Sequence, residues 1–245
     1  VASLAEHGDW IQKFVSVARA YMPDVIIAIQ DAPYADQIRS ANIDWSTTLF
    51  MVITGVDGVP LYPGWVDMLK RADGAFTISE FGVKAHRAAG VQSNLCRPGI
   101  DPNYFYPVTA DVRAAIRQQL GIAPDAFVLG ACAQNQGRKC WPQMLQGFFA
   151  SSGVSTMPTL FSASNHSALC KQNGWDASKL IFRQDAVRMG VTELRDRYNA
   201  MDAHVVLAHR EGFGLPLVEA QACGVVSIAM DYCSGTEICG NGNGV

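Results

Sequence analysis

HREGFGLPLVEAQACG, residues 209–224, is the stretch on which the reading of this chain turns. After Arg210 and Glu211 the chain bends through Gly212-Phe213-Gly214, meets Pro216 and runs on to Gly224. Proline suits the start of a helix, where its φ is preset and its missing N–H would go unpaired anyway, and glycine suits the position just past the end. The spacing predicts a short helix over Pro216–Cys223. Ala203–Ala208 reads as a strand entering the bend, and Val225–Ala229 as a strand leaving the helix. Strand, glycine turn, helix and strand make a βαβ unit, which calls for a parallel sheet.

In such a unit the turn is where a ligand sits. Gly212 and Gly214 let the backbone approach closely. The N–H groups of Gly212, Phe213, Gly214 and Leu215 lie ahead of the helix without helical partners, an arrangement that favours phosphate. Glu211 precedes the helix and Glu219 sits one turn into it. A carboxylate accepts hydrogen bonds and donates none, so two of them beside an anion site suit a ligand carrying both phosphates and hydroxyls. A purely structural reading stands beside this one: Glu219 interacts with the positive end of its own helix, and Glu211 is a solvated loop residue.

Composition narrows the class. The 245 residues are 49% hydrophobic and 17% charged with a net charge of -3, ordinary values for a globular chain with ample core. No basic run offers a grip on phosphate backbones, so nucleic acid is excluded as a partner. No stretch approaches the roughly 20 apolar residues of a membrane span, which leaves peripheral contact as the form of membrane association to consider. Seven scattered cysteines, odd in number and without a CxxC pair, argue against a disulfide framework or a structural zinc site. They fit a cytoplasmic setting. His166, His204 and His209 lack ligand spacing and no Asp-x-Asp occurs, so neither a metal nor a cofactor is expected.

The first half of the chain alternates helix and strand. Residues 9–21 place Trp10, Phe14, Val17, Ala18 and Tyr21 on one helical face, with Asp9 as N-cap. Val25–Ile29 is an apolar run of the kind found in strands buried on both faces. Asp31 follows at its carboxyl end, where open sheets bind ligands, and reads first as the cap of a helix near Tyr34–Ser40. Leu49–Ile53 and Ala75–Ile78 read as further strands, with helices over Gly64–Ala72 and Glu80–Ala89 after them, and Asn94-Leu95-Cys96 follows. This alternation predicts a parallel sheet with helices on both faces. Pro98, Pro102 and Pro107 then make an extended connection, and the boundary is set near Val108: 1–108 and 109–245.

The second half opens with a helix over Ala110–Leu120 and a strand over Phe127–Cys132. The loop Ala133–Lys139 follows, and then a helix over Trp141–Ala150 with Pro142 in its first turn. Arg138 and Lys139 therefore stand on a strand-to-helix loop, where arginine binds phosphate through two parallel hydrogen bonds and lysine acts as a compact charge. A P-loop is ruled out, because six residues separate Gly130 from Gly137 and no Ser or Thr follows Lys139. Pro158–Ser162 and Leu180–Arg183 are further strands, and Val191–Met201 is an amphipathic helix.

Taken together, these segments resemble the retaining glycosyltransferases of family 4 (glycosyl transferases group 1). Glu211 and Glu219, separated by seven residues in an E-G-F-G-L-P-x-x-E-A-x-A-x-G frame, are similar to that family's donor-site signature. Asp73, Ser79 and Gly82 in RADGAFTISEFGVKAHRAAGV, and RPGIDPNYFYPV leading into the connection, resemble two further family stretches. Asn135, Gln136, Arg138 and Lys139 match an Arg-Asn-Gln-x-Arg-Lys donor loop whose leading arginine is Gln134 here.

The resemblance implies the GT-B fold of two Rossmann-like, doubly wound parallel-sheet domains. It also implies transfer of a sugar from a nucleoside diphosphate sugar to a hydroxyl acceptor (a glycan, lipid or small molecule) with retention at the anomeric carbon. By the same resemblance Glu211, Lys139 and Arg138 are the catalytic set. Gln134, Asn135, Arg183, Gly212, Phe213, Gly214, Leu215 and Glu219 bind the donor, Glu211 at sugar hydroxyls, Glu219 at the ribose and Arg183 near the base.

Two complete domains of this kind need roughly 300 residues. The chain is therefore expected to be a fragment or a shortened member, its first domain incomplete at the N-terminus and its second at the C-terminus. Two alternatives stay open: a nucleotide-sugar-binding fragment without transfer activity, and a GT-B nucleotide-sugar epimerase.

Overall fold

The computed structural model describes residues 9–134, 136–151, 154–160, 166–180, 189–240, 242 and 244. They form two compact units, Val1–Pro98 and Gly99–Val245, each built on a four-stranded parallel sheet.

In the first unit α1 (Trp10–Tyr21) leads to β1 (Val25–Ile29), α2 (Ala32–Arg39), β2 (Leu49–Thr54), α3 (Pro63–Lys70), β3 (Gly74–Thr77), α4 (Glu80–Ala88) and β4 (Asn94–Leu95). The strands lie in the order β1-β2-β3-β4. Right-handed crossovers that all step in one direction put their helices on one face. The core agrees: Ala18, Ala35, Ile38, Met68 and Leu69 from α1 to α3 pack on Ile26, Ala28, Phe50 and Val52.

Two expectations change as a result. Helices on both faces are not seen among the described residues of this unit. Val25, Ile27 and Ile29, expected to be buried, are 41%, 57% and 69% exposed, because β1 is an edge strand covered on one side. On α1 the covered residues are Trp10, Ile11, Phe14 and Ala18, whereas Val17 and Tyr21 face outward. Asp31 caps α2 through its carbonyl, which accepts from the N–H groups of Tyr34 and Ala35. The Ser79 hydroxyl caps α4 by accepting from the Gly82 N–H at 3.1 Å.

The second unit contains α5 (Ala110–Gln119), β5 (Phe127–Ala133), α6 (Trp141–Ala150), β6 (Val154–Leu160), α7 (His166–Asn173), α8 (Val191–Ala200), β7 (Ala203–Val206), α9 (Leu215–Ala222), β8 (Val226–Ala229) and α10 (Ser234–Cys239). Here the order is β6-β5-β7-β8. The crossover from β5 steps one way and that from β7 the other, so the helices fall on opposite faces. Residues along β5 divide accordingly. Val128 and Cys132 pack with Tyr198 of α8 and Ala220 of α9, while Ala131 and Ala133 pack with Trp141 and Met144 of α6. Gly130, on the same side as Val128, has Met201 lying over it; a Cβ there would come within 2.1 Å of the Met201 sulfur.

The division between units falls before Gly99 rather than near Val108. Ile100, Phe105 and Val108 pack in the core around Val128, and the Val108 N–H donates to the Asn199 side chain at 2.9 Å. At the head of β7, Asp202 accepts from Arg113 at 2.7 Å, from Arg117 at 2.6 Å and from the Val128 N–H at 2.7 Å, fastening α5 to the sheet. Burial alone would raise that carboxyl, but these three donors together hold it below its ordinary value. Several element ends also shift: the helix after the glycine turn is Leu215–Ala222, with Pro216 second in it, and β6 starts at Val154. Of the strand expected over Leu180–Arg183, residues 181–183 lie outside the described residues, and so does most of the loop after it.

His204 on β7 is wholly buried, and its Nε2 accepts the Cys132 N–H at 3.2 Å. Burial pushes it down to about 3 from 6.5, so the folded chain keeps it neutral. Unfolded chain takes up a proton below about 6.5 that the fold refuses. Stability from this group is therefore complete above that pH and falls by roughly 1.4 kcal/mol per unit on the way down. His204→Gln keeps an acceptor but does not titrate, so its denaturation midpoint is expected to slope less between pH 6.5 and 5 than that of the natural chain. Parallel slopes would remove His204 as the cause. His86, buried in the first unit and lowered by burial, contributes with the same sign in both proteins.

Candidate functional site

Open parallel sheets bind ligands beyond the carboxyl ends of their strands, where the winding reverses. In the second unit that point lies between β5 and β7. The loops leaving these two strands are Gln134–Cys140 and Leu207–Gly214, which carry most of the site residues expected from the sequence.

The two loops are tied together. Gly137–Lys139 forms a 3-10 turn, anchored behind by the Trp141 indole N–H, which donates to the Gln134 carbonyl at 3.1 Å. The His209 N–H donates to the Arg138 carbonyl at 2.8 Å, and the Arg138 guanidinium donates to the Arg210 carbonyl at 2.6 Å and to the Gln136 side chain at 3.1 Å. The Lys139 ammonium makes an ion pair with Glu211 Oε2, their side chains only 10% and 19% exposed. Charges so far withdrawn from water must compensate one another, and removing either strands its partner. The Ser234 hydroxyl, at the start of α10, donates to the Glu211 carbonyl at 2.8 Å and fixes the loop from the other side.

Beyond Glu211 the bend needs glycine. Gly214 has φ +95, a conformation that L side chains rarely adopt, and a Cβ there would lie 3.0 Å from Leu217 and 3.4 Å from Cγ of Glu211. The Leu217 N–H bonds back to the Gly214 carbonyl at 2.9 Å and Pro216 has no N–H, so the donors ahead of the α9 ladder are Gly212, Phe213, Gly214 and Leu215. Gly212, Phe213 and Gly214 are buried, and Leu215 is exposed.

Glu219 faces a different neighbour. Its Oε2 accepts the Tyr198 hydroxyl at 2.7 Å. Burial raises the Glu219 carboxyl and the Tyr198 hydrogen bond pulls it back. Glu219 and Lys139 both act electrostatically on the buried Cys132 thiol, which burial drives up to about 12. Gln134 is exposed, and its side-chain oxygen accepts from Gln136 at 2.8 Å. Asn135 and Arg183 lie outside the described residues.

The structure thus brings Lys139, Arg138, Glu211 and the glycine bend to one place, and it adds Ser234 and Tyr198, which the sequence reading missed. An amphipathic helix ending in Asn-Ala-Met-Asp gave no sign that its tyrosine would reach a carboxylate on the next helix. Among the described residues no group of three or more His, Cys, Asp or Glu is arranged to hold a metal ion, and no helix is long and apolar enough to cross a membrane.

A parallel α/β unit followed by a second whose binding loops lie at the switch point of its sheet is the architecture of the GT-B glycosyltransferases. Residues 187–245, which hold Glu211 and Glu219, match the family Glycosyl transferases group 1. Curated relatives include the D-inositol 3-phosphate glycosyltransferases of Thermobispora bispora, 29% identical over 155 residues, and of Kineococcus radiotolerans, 32% identical over 144. These alignments take in 58% and 54% of this chain but 35% and 32% of the relatives, so the chain spans about a third of their length.

Among solved structures, the Anabaena protein HepE in complex with UDP-glucose superposes with a TM-score of 0.76 at 19% identity, covering 96% of this chain and 67% of that one. Sucrose-phosphate synthase from Thermosynechococcus elongatus gives 0.74 at 18% identity, over 90% and 60%. At such identities these two likenesses speak for the fold alone.

Proposed function

We propose that the second unit binds a nucleoside diphosphate sugar and that the protein transfers the sugar to a hydroxyl acceptor with retention of anomeric configuration. One observation carries this reading: the Lys139–Glu211 pair joins the two loops at the switch point of the sheet, setting a cation and an acid beside a glycine bend. Lys139 and Arg138 neutralise the diphosphate as it leaves, with help from the N–H groups of Gly212 to Leu215. This is electrostatic stabilisation of charge that grows as the glycosidic C–O bond breaks. Glu211 holds hydroxyls of the donor sugar and Glu219 holds those of the ribose. The acceptor hydroxyl attacks from the face the diphosphate leaves: its oxygen bonds to the anomeric carbon as the bond to the diphosphate breaks, and its proton passes to the departing phosphate oxygen. No second carboxylate pair of the glycosidase kind is invoked.

HepE was crystallised with UDP-glucose, which makes uridine nucleotides the first to try. The test is a titration of the chain with UDP, GDP and ADP and their glucose conjugates. At least one nucleotide should bind, and Glu219→Ala should weaken it by about tenfold, the worth of hydrogen bonds to a charged group. Binding of none of them, or full affinity in Glu219→Ala, defeats the assignment. An epimer formed from a UDP-sugar without acceptor would instead identify an epimerase.

A further inference from the structure

Tyr198 has no part in the function proposed above, yet it is the largest fully buried side chain among those described. It sits in the last turn of α8, and its ring packs edge-on against His204 at 5.5 Å and against Phe105 at 6.2 Å. A phenylalanine would make both contacts. The hydroxyl is therefore superfluous to packing and costly to bury unless it is bonded. It donates to Oε2 of Glu219 at 2.7 Å. The Cys132 thiol is buried in the same core cluster as the tyrosine.

The direction of the bond to Glu219 is fixed: the carboxylate only accepts, so the phenol donates to it. Oε2 is thus committed to the interior. Oε1 of Glu219 has no hydrogen-bond partner among the described residues and belongs to a side chain that is partly exposed.

We propose that Tyr198 is a positioning residue of the nucleotide site, holding one oxygen of Glu219 so that the other is presented to the ribose hydroxyls. The inference rests on the donor site proposed above. A free glutamate at the surface samples several rotamers, and fixing it in advance removes an ordering cost that binding would otherwise bear. Burial raises the carboxyl, and the same bond works against that shift as well as aiming the side chain. Glu219 in turn acts on the thiols of Cys132 on β5 and Cys223 just past α9, which burial drives up to about 12 and about 11.

The experiment compares Tyr198→Phe, Glu219→Ala and the double variant. Each is titrated with UDP, GDP and ADP and with their 2′-deoxy and 3′-deoxy counterparts. The readout is the ratio of deoxynucleotide to ribonucleotide Kd. Partial loss of folded protein scales both constants alike and cancels from the ratio, so a merely structural role for Tyr198 does not move it. For the nucleotide that binds, Tyr198→Phe is expected to lower the preference for ribose by about tenfold, the worth of one hydrogen bond to a charged group. It should add nothing on top of Glu219→Ala, as two residues acting through one interaction do. If Glu219→Ala abolishes the preference and Tyr198→Phe leaves it intact, Tyr198 is a packing residue and the inference fails alone. If Glu219→Ala also leaves it intact, or no nucleotide binds, the site reading itself fails and takes this one with it.

Discussion

Lys139→Ala is expected to weaken binding of the nucleoside diphosphate by about a hundredfold, the usual worth of a desolvated charge pair to an anion. Lys139 is 8% exposed, so its ammonium meets a ligand with little water between them. Arg138 compensates only in part, since two of its five N–H donors are held by the Arg210 carbonyl and by Gln136. The variant also strands Glu211, at a cost of about 2 kcal/mol for a carboxylate still partly in contact with water. Stability and affinity must therefore be separated. Lys139→Met retains the apolar stem of the side chain and loses only the charge, and it should show the same loss of affinity with a smaller fall in melting temperature. Calorimetric titration with UDP, GDP and ADP, at a temperature where both variants are folded, makes the measurement. An affinity within threefold of the natural chain in both would show that Lys139 does not touch the phosphates.

How this arrangement was legible in the sequence differs from residue to residue. Lys139 and Glu211 each stood out through local chemistry, one on a strand-to-helix loop and the other ahead of a glycine bend. Their pairing, across 72 residues, is set by β5 and β7 lying side by side, and adjacency of strands is not written in either segment. Tyr198 and Glu219 lie 21 residues apart and meet because α8 packs against α9. The hydroxyl that joins them has no pattern of its own in a helix that otherwise reads as a surface element.

The fold was legible where local signals and tertiary context agreed. Alternating apolar runs and capped helices predicted parallel strands, and the glycine past α9 marked its end to within a residue. Two of the misreadings arose where an apolar residue could serve either of two environments. Val25, Ile27 and Ile29 look the same in a strand covered on both sides as in an edge strand with one open face. Ile100, Phe105 and Val108 sit in a proline-punctuated segment that suggests a linker, and nothing local says which core receives their side chains.

Glu211→Gln is expected to have two effects of opposite sign. In the free protein the carboxylate neutralises Lys139, so a diphosphate must compete with it for the same ammonium. Glutamine removes the competitor, and affinity for the bare nucleoside diphosphate should rise by about threefold to tenfold, the range of one exposed to half-buried charge interaction. The sugar conjugate should lose what the diphosphate gains, because an amide is a weaker acceptor for its hydroxyls than a carboxylate. Turnover of the donor should fall by about a hundredfold, as for other single polar groups aimed at a reacting centre.

The ratio of UDP-glucose to UDP affinity is the sensitive quantity, measured in the same titration as for Lys139. If both ligands gain or both lose by the same factor, Glu211 acts on the diphosphate alone and has no contact with the sugar. The double variant Lys139→Met/Glu211→Gln supplies the control. With both charges gone neither partner is stranded, so it should be more stable than Lys139→Met alone while binding the diphosphate no better. A buried pair that is worth little to the fold, but is opened and re-used by the ligand, is what these signs together would establish.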